Sequence, residues 1–244
     1  MRKFALGISI VGLTFAVAGA FFQRNALACE MLPMLSYQQI DSHVFLGADI
    51  ASEKAEGIMG LINSASERIE LLYGAPASKP RILITSSAQL AEMWGANATA
   101  TMHRMPWRSC IVIGPDGKNV DVIAHEWLHA EIQERVGFLR FLGEIPVWFD
   151  EGAALTVDNR APFLPDNIDL TDAEVQRVKR LVSGRDFFSG DIRSNYQAAR
   201  LAVQPLIIVE RFFDDLERIS LGESFESVFV ANQSMLPAAN TAAD

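Results

Sequence analysis

The chain has 244 residues, 50% of them hydrophobic and 21% charged, with 21 basic against 30 acidic side chains and a formal charge of −9. That acidity excludes a generic nucleic-acid binder, which needs a cationic face for phosphates. No repeat of solenoid period occurs, and no stretch beyond residue 30 is long and apolar enough to cross a bilayer. The length suffices for one large domain with its own core.

Arg2 and Lys3 precede an uncharged run from Phe4 to Phe22, and Ala26-Leu27-Ala28 follows. A basic start, an apolar stretch and an Ala-x-Ala site read as a secretory signal over residues 1–28, cleaved after Ala28. The run 4–22 also approaches spanning length, so an uncleaved anchor with its N-terminus inside is the alternative. Lipidation at Cys29 is disfavoured by Ala26 three residues before it and by Arg24 nearby. Each reading puts the body of the chain outside the cytoplasm, periplasmic, secreted or facing outward from a membrane anchor. Without Arg2, Lys3 and Arg24 that body carries 18 basic against 30 acidic residues, which does not suit adhesion to anionic lipid. The two cysteines, Cys29 and Cys110, could bridge in an oxidising compartment. A buried, unpaired Cys110 is the simpler expectation, because Cys29 would lie near a mobile terminus.

Residues 29–42 read as a lead-in, and Val44-Phe45-Leu46 as a short strand. Between Ala51 and Tyr73 the apolar residues Ile58, Leu61, Ile62, Ala65, Ile69 and Leu72 recur at three-to-four spacing, which predicts an amphipathic helix closed by Gly74. A strand is expected over Arg81–Thr85, then a short helix capped by Ser86 or Ser87 and running to Trp94. Residues 95–108 read as loop. Cys110–Ile113 is a strand ended by the turn Gly114-Pro115-Asp116-Gly117. Helical patterns follow over Val120–Val136 and, opened by Pro146, over Val147–Thr156. A charged helix is expected from Asp172 to Val182, its Asp169–Lys179 charges forming a solvated face. One long helix from Asn195 to Asp214, kinked at Pro205, and another over Ser224–Val230 complete the pattern, before a flexible tail over 232–244. Trp94, Trp107, Trp127 and Trp148 are expected in the core or a cleft wall, and Phe212, Phe213, Phe225 and Phe229 in the core. Strands early and helices late predict an α+β fold.

The chemistry concentrates at residues 125–151. His125-Glu126-Trp127-Leu128-His129 is a His-Glu-x-x-His sequence inside a helical stretch. At about 100° per residue the two imidazoles fall about 40° apart on one face, so both can reach one zinc ion. Glu126 is turned away by about 100°, which aims its carboxylate at water rather than at the metal. With this composition the pattern would arise by chance roughly 0.003 times, so coincidence is a poor explanation. Zinc needs a third ligand and an open position. Pro146-Val147-Trp148-Phe149-Asp150-Glu151-Gly152-Ala153 offers Glu151, with Asp150 as the alternative ligand. Gly152 and Ala153 would let this helix approach the metal helix closely.

With these residues the chain resembles the gluzincin metallopeptidases, especially small exported domains of the peptidase MA-like kind. The likeness spans roughly residues 43–231. It implies a zincin-like fold, with a small mixed sheet and metal helix over 43–136 and a helical lobe over 137–231. The strand Cys110–Ile113 would be the edge strand that borders the cleft and pairs with an extended peptide. By resemblance His125, His129 and Glu151 bind one zinc ion and Glu126 is the general base. Tyr196, in Asn195-Tyr196-Gln197-Ala198-Ala199-Arg200, would steady the oxyanion, although its helical spacing with Ala199 and Val203 equally suits core packing. His103 is a second oxyanion candidate. Thermolysin-like relatives carry an Asp four residues after the glutamate ligand; here Leu155 stands there. Support for the zinc-binding histidines must then come from Asp158, Asp121 or Asp150. The expected activity is hydrolysis of a peptide or protein substrate. The alternative is a zinc-binding envelope module without turnover, and hydrolysis of a non-peptide amide is a third reading.

Overall fold

A computed structural model describes residues 24–231. The apolar run 4–22 and the tail 232–244 lie outside the described residues. Within them no helix is long and apolar enough to cross a membrane. The fold is α+β, and the chain divides into two compact units. Among the described residues, one comprises 24–55 with Pro80–Gly117, the other Glu56–Lys79 with 118–231. In chain order the main elements begin with α1 (Arg24–Glu30), β1 (Gln38–Asp41), β2 (Val44–Leu46) and α2 (Ala55–Tyr73). Next come β3 (Arg81–Ile84), α3 (Ala88–Met93), β4 (Ala100–His103), β5 (Cys110–Ile113) and α4 (Val120–Val136). The chain ends in α5 (Phe138–Glu144), α6 (Val147–Ala154), α7 (Asp172–Val178), α8 (Gly184–Phe187), α9 (Ile192–Val203) and α10 (Phe212–Ser220). Five-residue π-helical Glu226–Val230 closes the described chain.

The first unit is built on a mixed sheet of order β1-β2-β3-β5-β4. β2, β3 and β5 run parallel, and β1 and β4 pair antiparallel at the two margins. Every residue of β3 and β5 is buried, the expected state of parallel strands covered on both faces. Phe45, Leu83 and Val112 stand in register across three strands. They share a cluster with Leu32, Ala91, Trp94 and both cysteines. Ser87 caps α3 by accepting from the Leu90 amide, as its position suggests.

Five expectations for this unit are corrected. β5 is interior, hydrogen-bonded on both sides, so it cannot take another strand; the edge is β4. β4 falls where a loop was expected, because four residues alternating buried and half-buried give too short a signal beside Gly95 and Pro106. β1 falls within the lead-in, joined to β2 through Ser42-His43. Cys29 is neither mobile nor free: it is fully buried on α1 and disulfide-bonded to Cys110. Its carbonyl accepts from the buried Arg81 guanidinium at 2.8 Å, and Glu30 pairs with Arg81 at 3.1 Å. Burial lowers the Arg81 pKa, an effect that Glu30 partly offsets. Trp107, expected inside, is 59% exposed.

The second unit is helical and centres on α4. Asn119 caps it by accepting from the Val122 amide, and Gly137, at φ 81°, ends it in a conformation that L side chains avoid. Ile123, Ala124, Leu128 and Ile132 bury one part of its surface and His125, His129 and Glu131 another, so it is surrounded. Fully buried Glu131 accepts from the Ala77 and Ser78 amides at 2.9 and 2.8 Å and from Arg135 Nε at 2.6 Å. That charge is therefore paired and hydrogen-bonded, the condition for burying one. The phenylalanines expected in the core are there: Phe149 lies 4.8 Å from Phe225 and 4.6 Å from Phe229. α2 buries Ile58, Ile62, Ala65, Ile69 and Tyr73 as its periodicity predicts.

The long helix expected from Asn195 to Asp214 is two helices, α9 and α10. Pro205 lacks an amide hydrogen, so α9 stops at Val203 and the chain turns through Gln204-Pro205-Leu206. The charged helix α7 ends at Val178 rather than Val182, held at its start by a capping box of Thr171 and Glu174. Its charges are mostly solvated, as expected. α5 and α8 are short helices that the periodicity does not announce.

Candidate metal centre

His125 and His129 leave α4 one turn apart, and Glu151 leaves α6; all three are buried. The two imidazole Nε2 atoms are 3.2 Å apart. Glu151 Oε2 lies 3.5 Å from His125 Nε2 and 3.4 Å from His129 Nε2. Three donors each about 2.05 Å from a tetrahedral zinc ion would stand about 3.3 Å from one another. The observed triangle therefore matches that spacing. Glu151 Oε2 is buried without a hydrogen-bond partner. Three converging lone-pair donors around such an atom are an arrangement that a cation stabilises. The nitrogen, nitrogen and oxygen donor set suits zinc chemically.

Carboxylates face the other ring nitrogens. His129 Nδ1 is 2.9 Å from Asp150 Oδ1, an ion-pair contact off the line of a hydrogen bond. His125 Nδ1 is 3.6 Å from Asp158 Oδ2, too far for a direct hydrogen bond. Asp158 is fully buried and accepts from Arg160 Nε at 2.9 Å and from the Arg160 amide at 3.0 Å. Of the three carboxylates expected to support the histidines, Asp150 and Asp158 face their Nδ1 atoms. Asp121 instead binds Arg68 and the Asn159 amide. Asp150 thus faces the back of His129 while Glu151 faces its front. Asp158 was expected on the Glu151 helix, but α6 ends at Ala154 and an irregular turn delivers it.

Burial alone would lower the His129 pKa, but the Asp150 and Glu151 carboxylates outweigh it and hold that pKa well above the usual value. Burial would raise the Glu151 pKa, yet His129 and His125 bring it far below the usual carboxylate range. Both directions show the same field: buried acids around buried imidazoles, complementary in charge.

Tyr196 stands on α9 with its ring centroid 6.4 Å from that of the His125 imidazole. Burial, then the Glu151 and Glu126 charges, raise its pKa, so the phenol keeps its proton. The core-packing reading of Tyr196 is met, since its ring lies 5.3 Å from Phe187 and 5.9 Å from Phe163. Gly152 explains its position. A Cβ there would stand 2.4 Å from the Ala199 carbonyl oxygen and 2.7 Å from Val203. The glycine thus lets α6 approach α9, not the metal helix as expected, and Tyr196 lies one turn before Ala199 on α9. Glu126, half-buried next to His125, is close enough to Tyr196 to influence its ionisation.

His103 sits at the end of β4 in the other unit. Its Nε2 donates to the Trp94 carbonyl at 2.8 Å, so that nitrogen carries the ring proton and is occupied. Sequence reasoning did not find Arg160, whose role comes only from its contact with Asp158; two residues of spacing in a turn carry no motif. No protein-family model matches the chain, and no curated protein matches it.

Proposed function

We propose that His125, His129 and Glu151 hold one zinc ion and that the chain is a gluzincin-like peptidase, hydrolysing peptide bonds with Glu126 as general base. The observation that carries the reading is the triangle of 3.2, 3.4 and 3.5 Å among three buried ligand atoms on two helices. Zinc bound there would supply a Lewis acid for the scissile carbonyl and lower the pKa of water toward neutrality. Glu126, adjacent to His125 but turned off its face, takes the proton of the attacking water and returns it to the leaving amine. Tyr196, neutral at pH 7, donates a hydrogen bond to the oxygen that gains charge. Asp150 and Asp158 keep the imidazoles oriented with Nε2 toward Glu151.

Export from the cytoplasm belongs to the same proposal. The buried Cys29–Cys110 disulfide supports it, since such bonds persist in oxidising compartments.

The test is zinc content by elemental mass spectrometry together with cleavage of a protein substrate. Wild type should hold about one zinc per chain, lose cleavage to a chelator and regain it with zinc. Glu126→Gln should keep the metal and lose turnover by about 10²-fold or more. Zinc without any cleavage would leave a metal-stabilised binding module, and full activity in Glu126→Gln would remove the base assignment.

A further inference from the structure

Beyond Tyr196 the same unit opens a pocket of about 510 Å³, lined by Arg160, Pro162, Phe163, Ile192, Arg193 and Tyr196. Its walls are apolar except at the two arginines, and no acidic residue lines it. The Arg160 charge is offset by buried Asp158, whose carboxylate it grips through Nε and the terminal nitrogen Nη2. Arg193 is exposed and makes no ion pair among the described residues. One uncompensated cation therefore faces an apolar hollow, on a chain whose formal charge is −9.

The walls are fixed. Gln197 Nε2 donates to the Pro162 carbonyl at 2.8 Å and ties the 160–163 segment to α9. The Arg160 guanidinium lies 5.1 Å over the Phe163 ring, and that ring lies 5.9 Å from Tyr196. The pocket shares Tyr196 with the metal centre, so a chain bound at the centre can reach it. At short range the Arg193 guanidinium at such a hollow favours an anionic group placed against it and disfavours a cationic one.

From this geometry we infer that the pocket selects substrates presenting a carboxylate beside the cleaved bond, with Arg193 as the specificity-determining residue. The inference rests on the peptidase reading for the word substrate. The carboxylate is either a Glu or Asp side chain or the free end of a peptide. The apolar walls take the carbon stem, while Arg193 and the remaining terminal nitrogen of Arg160 face the charge.

The test is fluorescence anisotropy of labelled peptides on zinc-loaded Glu126→Gln protein. One pair differs by internal Glu against Gln, another by C-terminal acid against amide, and a fifth peptide carries internal Lys. Cleavage of the same peptides by wild type is followed by mass spectrometry. One member carrying the carboxylate should bind roughly fivefold tighter than its neutral twin. The preference should vanish in Arg193→Ala and turn toward Lys in Arg193→Glu. The pair that shows it names the source of the carboxylate. Equal binding by all peptides, no binding at all, or a preference that survives Arg193→Ala would overturn the inference. Cleavage without preference sinks the pocket alone. Preference without cleavage sinks the peptidase reading and leaves the carboxylate pocket standing.

Discussion

Asp150 precedes Glu151 by one residue on α6, yet the two carboxylates meet opposite sides of the His129 ring. A ligand and its support from adjacent positions work because neighbouring helical side chains diverge by about 100°, enough to straddle a ring. On the proposed reading, Asp150 at Nδ1 leaves Nε2 of His129 to the metal. Asp150→Ala should weaken zinc affinity by about 10- to 100-fold, read by competition with a coloured chelator. Asp121→Ala should leave it unchanged, since Asp121 serves Arg68. Equal losses in both would show a general effect of packing. At this scale the spacing of His125 and His129 is itself the signal that they share one helix face. The choice between Glu151 and Asp150 needed the structure, which brings Glu151 to both Nε2 atoms. The sequence could offer only a choice of carboxylates for support, because the turn after Ala154 has no period to read.

α6 is eight residues long and supplies Asp150, Glu151 and Gly152 in succession. Its two sides do different work: one brings the Glu151 carboxylate to the two imidazoles, the other presents Gly152 to the α9 backbone. The separation of α6 and α9 therefore sets how near Tyr196 stands to Glu151. Gly152→Ala puts a methyl 2.4 Å from the Ala199 carbonyl oxygen, and backbone must give way. We expect a loss of about 1–3 kcal/mol in urea unfolding. Zinc content should fall less than turnover, since His125 and His129 stand on α4 while Glu151 and Tyr196 stand on the two helices that are pushed apart. Unchanged turnover in folded Gly152→Ala would show that Tyr196 plays no part in the reaction. Helices with strong periodicity or a cap, such as α2 and α4, were legible at this scale. The break between α9 and α10 was visible as Pro205 but read as a kink; whether a proline bends or ends a helix depends on what the following residues pack against.

In the molecule as a whole, the Cys29–Cys110 bond closes a loop of sequence separation 81. It joins α1 to an interior strand of the sheet, inside a cluster with Phe45, Leu83 and Trp94. Loop-closure entropy for this length is about 4–5 kcal/mol, of which a disulfide typically delivers about 2–4 kcal/mol. Reduction, or Cys29→Ser with Cys110→Ser, should lower the melting temperature by several degrees, measured by circular dichroism with and without reductant. No change in melting on reduction would mean that this bond is absent in the protein as prepared. The order of strands before helices, the His-Glu-x-x-His motif on a continuous helix and the acidic balance were determined by sequence alone, because each is a local pattern or a sum over residues. The tertiary structure decided that β4 rather than β5 is the edge, that Cys29 is bonded, that Gly152 faces α9, and that Arg160 holds Asp158. Each of these is a pairing between segments remote in sequence or set by an irregular turn. Local periodicity says which face of an element is apolar but not which partner covers it.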